Sequence, residues 1–171
     1  MAERSEVLFI GGRAGVGKSS VALELHEQLY ARQVKHCVIE GDNLDLAYPR
    51  PWEHKLAEKN LSDMWRNYCA LGYRRLIYTN TVSVLESEGL AAAMGDVPVV
   101  RAVLLHASDA TAATRLGGRE SATTLELHLT RSCERAAELE QRTPSWVRRI
   151  DTDGKSVPDI AHEILELLGW T

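Results

Sequence analysis

The sequence predicts an α/β protein, a parallel β-sheet with helices on both faces. Two observations carry that expectation. Short apolar runs bounded by turn residues alternate with stretches whose apolar positions recur every three or four residues. A glycine-rich turn, IGGRAGVGKSS at 10–20, joins the first apolar run to the first helical stretch.

Taken in order, EVLFIGG (6–12) reads as a short buried strand, and residues 19–32 as a helix with Val21, Leu25 and Leu29 on one face. KHCVIEGD (35–42) is the second strand. The following NLDLAYPRPW holds Pro49 and Pro51 and reads as loop. Residues 53–71 form a helix with Leu61, Met64, Trp65, Tyr68 and Leu71 along one stripe, and YRRLIYTN (73–80) the third strand. Ser83 and Glu86 fit a capping box opening a helix that runs to about Met94. VPVVRAVLLHA (97–107) is the fourth strand. A short helix then ends at Gly117 and Gly118, and a longer one over 124–140 repeats Leu125, Leu129 and Cys133 every four. WVRRIDTDG (146–154) supplies the fifth strand and its turn. Ser156 with Asp159 caps a last helix whose Val157, Ile160, Ile164, Leu167 and Leu168 face inward.

The 171 residues suit a single domain spanning 1–171. With 44% hydrophobic and 26% charged residues the chain is ordinary for a globular protein, and a net charge of −4 argues against a nucleic-acid partner. No apolar stretch approaches the ~20 residues that span a bilayer, and the acidic N-terminus does not resemble a secretory signal. Cys37, Cys69 and Cys133 are widely spaced without a C-x-x-C pair, which suits reduced core thiols in a cytoplasm.

Gly12-Arg13-Ala14-Gly15-Val16-Gly17-Lys18-Ser19 fits G-x-x-x-x-G-K-S/T, the Walker A pattern. Its glycines let backbone N–H groups turn toward anionic oxygens, and the helix that follows adds its positive end. Lys18 reaches the outer phosphates of a nucleotide and the Ser19 hydroxyl is placed for magnesium, with Ser20 beside it. The expected ligands are ATP and Mg2+.

What becomes of the phosphate depends on the other strand ends. The third strand ends LIYTN, with Thr79 and Asn80 where a Walker B acid would stand, and no N-K-x-D stretch occurs. An acid appears instead after the second strand, in VIEGDNLD. Strand ends of such a sheet share one crevice, so Asp42 is the candidate to accept a proton from an acceptor hydroxyl, to hold magnesium, or both. A turn or helix-cap carboxylate is the alternative reading of Asp42. Glu40 is the second candidate and Asp45 the third.

GGRAGVGKSS together with EGDNLD resembles the small P-loop kinases, a group that includes adenylylsulfate kinase, gluconate kinase and the phosphotransferases acting on chloramphenicol or tunicamycin. Adenylylsulfate kinases carry D-G-D-N where this chain has E-G-D-N. The resemblance implies a P-loop NTPase fold, three layers around a five-stranded sheet of order 2-3-1-4-5. It also implies a short lid at about 115–122 within TRLGGRE, where Arg119 would close over the phosphates while Arg115 either assists or anchors the preceding helix. The loop IDTDGKS (150–156) would border the adenine, with Asp151, Thr152 and Gly154 as candidates. A solvated helix end and a plain turn explain these same two stretches.

The acceptor side should lie among the second-strand loop, the 53–71 helix and the third-strand tip. Tyr48, Trp52, His54, Trp65, Arg66 and Tyr68 fall there, with Asn80 a partner for an acceptor hydroxyl. Aromatics beside a charged cleft suit a ring-bearing acceptor, though Trp65 and Tyr68 also fit a core stripe and Trp52, after a proline, does not. The function expected is ATP-dependent transfer of the γ-phosphoryl group to a small-molecule hydroxyl by a monomer or homodimer. A nucleoside monophosphate kinase using Arg50, Arg66 and Arg74, and a regulatory ATPase module, are the alternatives.

Overall fold

The computed structural model describes residues 4–118 and 122–170. Five strands, β1 (Glu6–Gly11), β2 (Cys37–Glu40), β3 (Arg75–Thr79), β4 (Val99–His106) and β5 (Arg148–Asp151), form one sheet of order β2-β3-β1-β4-β5. Every pairing is parallel, as the resemblance implied. The helices are α1 (Lys18–Ala31), α2 (Leu56–Ala70), α3 (Ser83–Met94), α4 (Asp109–Gly117), α5 (Ala122–Arg142) and α6 (Val157–Leu168). Short 3-10 turns at Gly41–Asn43 and Trp52–His54 interrupt the loop between β2 and α2.

Two cores follow from strand alternation, because successive side chains point to opposite faces. Leu8 and Ile10 of β1 join Val21, Leu25 and Leu29 of α1 and Ile160, Ile164 and Leu168 of α6 on one face. Val7 and Phe9 pack on the other with Leu61 and Trp65 of α2, Tyr78 of β3 and Leu90 of α3. Leu25 is wholly buried, and truncating such a leucine to alanine costs about 2–5 kcal/mol. Trp65 is likewise core, and Tyr68 packs edge-on against Tyr73 at 5.3 Å between ring centroids.

The register aligns the carboxyl ends of the strands. Ile10 and Glu40 both pair with Thr79, Gly11 pairs with Leu104, and His106 with Asp151. The residues that follow these ends therefore surround one crevice.

Several local expectations are corrected. Ser83 is not a cap: it is the first residue of α3, fully buried, and its hydroxyl donates to the Asn80 carbonyl at 3.2 Å. The Asn80 side chain accepts from the Val82 N–H at 2.8 Å instead. Leu71 ends the α2 stripe exposed, since it sits at the C-cap. In α6 Leu167 turns to solvent and Leu165 takes the inward position. The cysteines are free, but only Cys37 is core. Cys133 is exposed, because the α5 face turns Ser132 inward.

Candidate active site

Between β1 and α1 the chain makes the phosphate loop. Gly12, Gly15 and Gly17 adopt φ values of 149°, 83° and 98°, a region that side chains disfavour. Space forbids a side chain as well: a Cβ on Gly12 would stand 2.8 Å from the Leu105 carbonyl, and one on Gly15 2.9 Å from the Ala112 carbonyl. Gly17 is the N-cap of α1, with no side chain capping the helix. The N–H groups of that helix end are thus open to an anion.

Lys18 folds back over the loop, its Nζ donating to the carbonyls of Gly12 at 2.8 Å and Arg13 at 3.2 Å. Burial lowers its pKa, while the negative charges of Asp42 and Glu40 act the other way. Both carboxylates therefore lie within electrostatic reach of the loop lysine.

The two acids differ in how they are held. Glu40, at the end of β2, accepts from the Ser19 hydroxyl at 2.8 Å and from the Thr79 hydroxyl at 2.6 Å. Thr79 occupies the place where a Walker B acid was sought, and it orients the acid of the neighbouring strand. Asp42 has no hydrogen bond or ion pair among the described residues. Its pKa is raised, chiefly by desolvation and further by Glu40 and Asp45, with Lys18 opposing. Glu40 is the second candidate from the sequence, and no spacing rule shows that it pairs with both Ser19 and Thr79.

Arg13 does not point toward the crevice. Its guanidinium is buried, donates to Ser132 Oγ at 2.9 Å and Cys133 Sγ at 3.4 Å, and pairs with Asp109. Ser132 in turn donates to the Ala14 carbonyl at 3.1 Å. The side chain of Arg13 clamps the loop to α4 and α5, so any contact it offers a phosphate comes from its backbone.

Arg115 ties α4 to the phosphate loop and to Thr152. It donates to the carbonyl of Val16 at 3.1 Å and to Thr152 Oγ1 at 3.1 Å. A cleft of about 230 Å³ opens beside it, lined by Gly15, Ser20, Arg115, Lys155, Val157 and Ile160 among others. Thr152 is fully buried and supports Arg115 without lining that cleft; Gly154, at φ 69°, is a turn residue beside it. Lys155 and Val157, which do line it, lie one to three residues further along the chain. Arg119 lies outside the described residues, as do residues 120 and 121 of the expected lid.

On the other side of the crevice Asp45 stands within electrostatic reach of Asp42 and Glu86. Asn80 spends its amide oxygen on α3, and its side chain also lies against the Tyr78 hydroxyl. Trp52 is exposed, with the Arg50 guanidinium 4.6 Å above its ring, and Tyr48 is fully exposed. No contact brings Trp52, His54 or Tyr48 against Asp42. Arg66 pairs with Asp63 at 2.6 Å on the solvent side of α2, and Arg74 donates to the carbonyls of Cys69 and Tyr73.

Comparison with known proteins adds three findings. The adenylylsulphate kinase family model matches residues 4–60, which hold the phosphate loop and the E-G-D-N stretch. No curated protein sequence matches the chain. Among solved structures, the tunicamycin resistance protein of Deinococcus radiodurans superposes with a TM-score of 0.68 at 23% identity, covering 98% of each chain. The APS kinase of Mycobacterium tuberculosis, in complex with AMPPNP and APS, gives 0.56 at 19% identity, covering 97% of this chain and 98% of that one. A gluconokinase from Sinorhizobium meliloti gives 0.59 at 19%, covering 98% and 93%. The chain has the fold of the small P-loop kinases, with their strand order.

Proposed function

We propose that this protein is an ATP-dependent phosphotransferase that moves the γ-phosphoryl group to a hydroxyl of a small molecule. The observation that carries the reading is Asp42, a carboxylate without a hydrogen-bond partner at the strand end next to the phosphate loop, coupled in charge to Lys18.

The loop amides of residues 12–17 and Lys18 bind the phosphates, Lys18 releasing the Gly12 and Arg13 carbonyls to do so. The nucleoside end occupies the cleft beside Arg115 and Val157. The acceptor oxygen forms a bond to the γ-phosphorus, the bond from that phosphorus to the bridging oxygen breaks, and ADP leaves. The hydroxyl proton passes to Asp42 and then to solvent. A raised pKa makes Asp42 a better proton acceptor than an ordinary aspartate. Arg119 is the proposed lid group over the equatorial oxygens.

Oxygen donors of the type Mg2+ prefers are present: Ser19 Oγ and Glu40 Oε2 are 2.8 Å apart, with Asp42 nearby. Bound magnesium would offset the phosphate charge. Among the described residues no three His, Cys, Asp or Glu side chains gather to hold a metal, and nucleotide phosphates and water would fill the rest of its shell.

The nucleoside monophosphate kinase reading needs free arginines on the acceptor side. Arg66 and Arg74 are engaged elsewhere and Arg50 lies on Trp52. The proposal is tested by following ADP release against a panel of hydroxyl-bearing acceptors. Acceptor-dependent release supports transfer, and release independent of any acceptor supports an ATPase module.

A further inference from the structure

Each carbonyl of the phosphate loop from residue 12 to 16 has a donor. Lys18 Nζ serves Gly12 and Arg13, and the Arg115 guanidinium serves Val16 at 3.1 Å and Gly15 at 3.4 Å. The Ala14 carbonyl is held from elsewhere, accepting from the Ser132 hydroxyl at 3.1 Å. Ser132 is a buried residue of α5, 118 residues further along the chain.

That hydroxyl is itself oriented. Arg13 Nε donates to Ser132 Oγ at 2.9 Å, which occupies a lone pair and leaves the single hydroxyl proton for Ala14. A peptide unit is planar and trans, so its C=O and N–H point opposite ways. Turning the Ala14 carbonyl to α5 therefore turns the Gly15 N–H away from α5. Among the described residues no hydrogen bond uses that N–H. An unspent N–H of such a loop is a donor for an anion.

Gly15 makes the support necessary. Its φ of 83°, and the Ala112 carbonyl 2.9 Å from where a Cβ would stand, restrict the position to glycine. Glycine adopts either sign of φ about as readily, so the residue that lets the loop close also lets the Ala14–Gly15 peptide turn over. The reversed unit would present a carbonyl oxygen to the phosphates instead of a proton. Among the described residues no backbone hydrogen bond holds this unit. The Ser132 hydroxyl does.

We infer that Ser132 is a positioning residue for nucleotide binding, its hydroxyl fixing the Ala14–Gly15 peptide so that the Gly15 N–H faces the phosphates. It touches no reacting atom and acts through Gly15, with Arg13 orienting it. The inference rests on the nucleotide site of the phosphotransferase reading and names a residue outside the loop motif on which that site depends.

The experiment titrates wild type, Ser132→Ala and Ser132→Thr by calorimetry with ATP and with inorganic tripolyphosphate, which carries phosphates without a base. Ser132→Ala should weaken both ligands by the same factor, about three- to tenfold, the equivalent of one neutral hydrogen bond. Ser132→Thr keeps the hydroxyl and should stay within about twofold of wild type. Met94→Ala truncates a buried side chain at the last residue of α3 and reports loss of stability alone; its ATP affinity should not change. In isotope-labelled wild type the Gly15 amide proton should move downfield when tripolyphosphate is added, a measurement that needs no variant to fold. Unchanged affinity in Ser132→Ala, an equal loss in Ser132→Thr or Met94→Ala, or an unmoved Gly15 proton overturns the inference and leaves nucleotide binding intact. A wild type that binds neither ATP nor tripolyphosphate removes the phosphotransferase reading, and this inference with it.

Discussion

The hydroxyl of Ser19, the last residue of the phosphate-loop motif, donates a 2.8 Å hydrogen bond to the carboxylate of Glu40 at the end of the edge strand β2. The other oxygen of that carboxylate accepts from Thr79 at 2.6 Å. Three strand-end segments are thereby joined at the point where a nucleotide's outer phosphates would lie. Glu40 fixes the serine hydroxyl, and under the proposed function it would supply negative charge for a cation.

Glu40→Gln keeps the shape and removes the charge. It should raise the magnesium concentration needed for half-maximal ATP turnover by about 10–100-fold, the range for groups that orient metal ligands. A magnesium titration at fixed ATP measures this, and an unchanged midpoint would remove Glu40 from the metal's surroundings.

Asp42→Asn should lower kcat by about 10²–10⁴ with little change in nucleotide affinity, the signature of a lost general base. In the wild type the acid limb of kcat/KM should lie above the ordinary aspartate range, because desolvation raises the Asp42 pKa, and the variant should lose that limb. Stability moves the other way. A folded-state pKa above the unfolded one means the ionised carboxylate weakens the fold as pH rises through it. The variant should therefore melt higher than wild type at neutral pH, with the gap closing in acid.

Much of this architecture is legible in the sequence, for reasons that particular residues show. Val7 and Phe9 face one core, Leu8 and Ile10 the other, so an uninterrupted apolar run correctly announces a strand buried on both sides. The glycines at 12, 15 and 17 are required by backbone angle and by space, which makes the loop readable letter by letter. Side-chain partners distant in sequence were not legible. Nothing near Arg13 announces that its guanidinium meets Ser132, 119 residues away. The choice between Ser132 and Cys133 as the inward residue of α5 is a rotation of one position, which a four-residue repeat does not resolve. Asn80 rather than Ser83 serves the start of α3, its amide oxygen accepting from the Val82 N–H while Ser83 is already the first helical residue.

The Arg13 clamp yields a stability prediction separate from catalysis. Arg13→Ala removes a buried guanidinium that ties the phosphate loop to α4 and α5. The loss should be about 1.5–3 kcal/mol, as for hydrogen bonds involving a charged group. That corresponds to roughly 3–12 °C in Tm for a chain of this size. Thermal denaturation followed by circular dichroism gives the value, and a shift within 1 °C (about the noise of the method) would show the clamp to be dispensable.

Lys18→Ala should weaken ATP binding by about 1.5–3 kcal/mol, the loss expected for a charge-assisted contact. Because burial already disfavours the charged lysine in the free protein, removing it should not lower the Tm without nucleotide. Calorimetric titration and a melting curve on the same sample separate the two effects. A large fall in Tm would make Lys18 a structural residue.

The most direct measurement follows ADP and phosphorylated acceptor together, by coupled assay and phosphorus NMR, for the wild type and Asp42→Asn. Transfer predicts that the two products appear in equal amounts, only when a hydroxyl acceptor is supplied, and at a rate that collapses in the variant. ADP with inorganic phosphate, formed equally with and without an acceptor and at the same rate in both proteins, would contradict it.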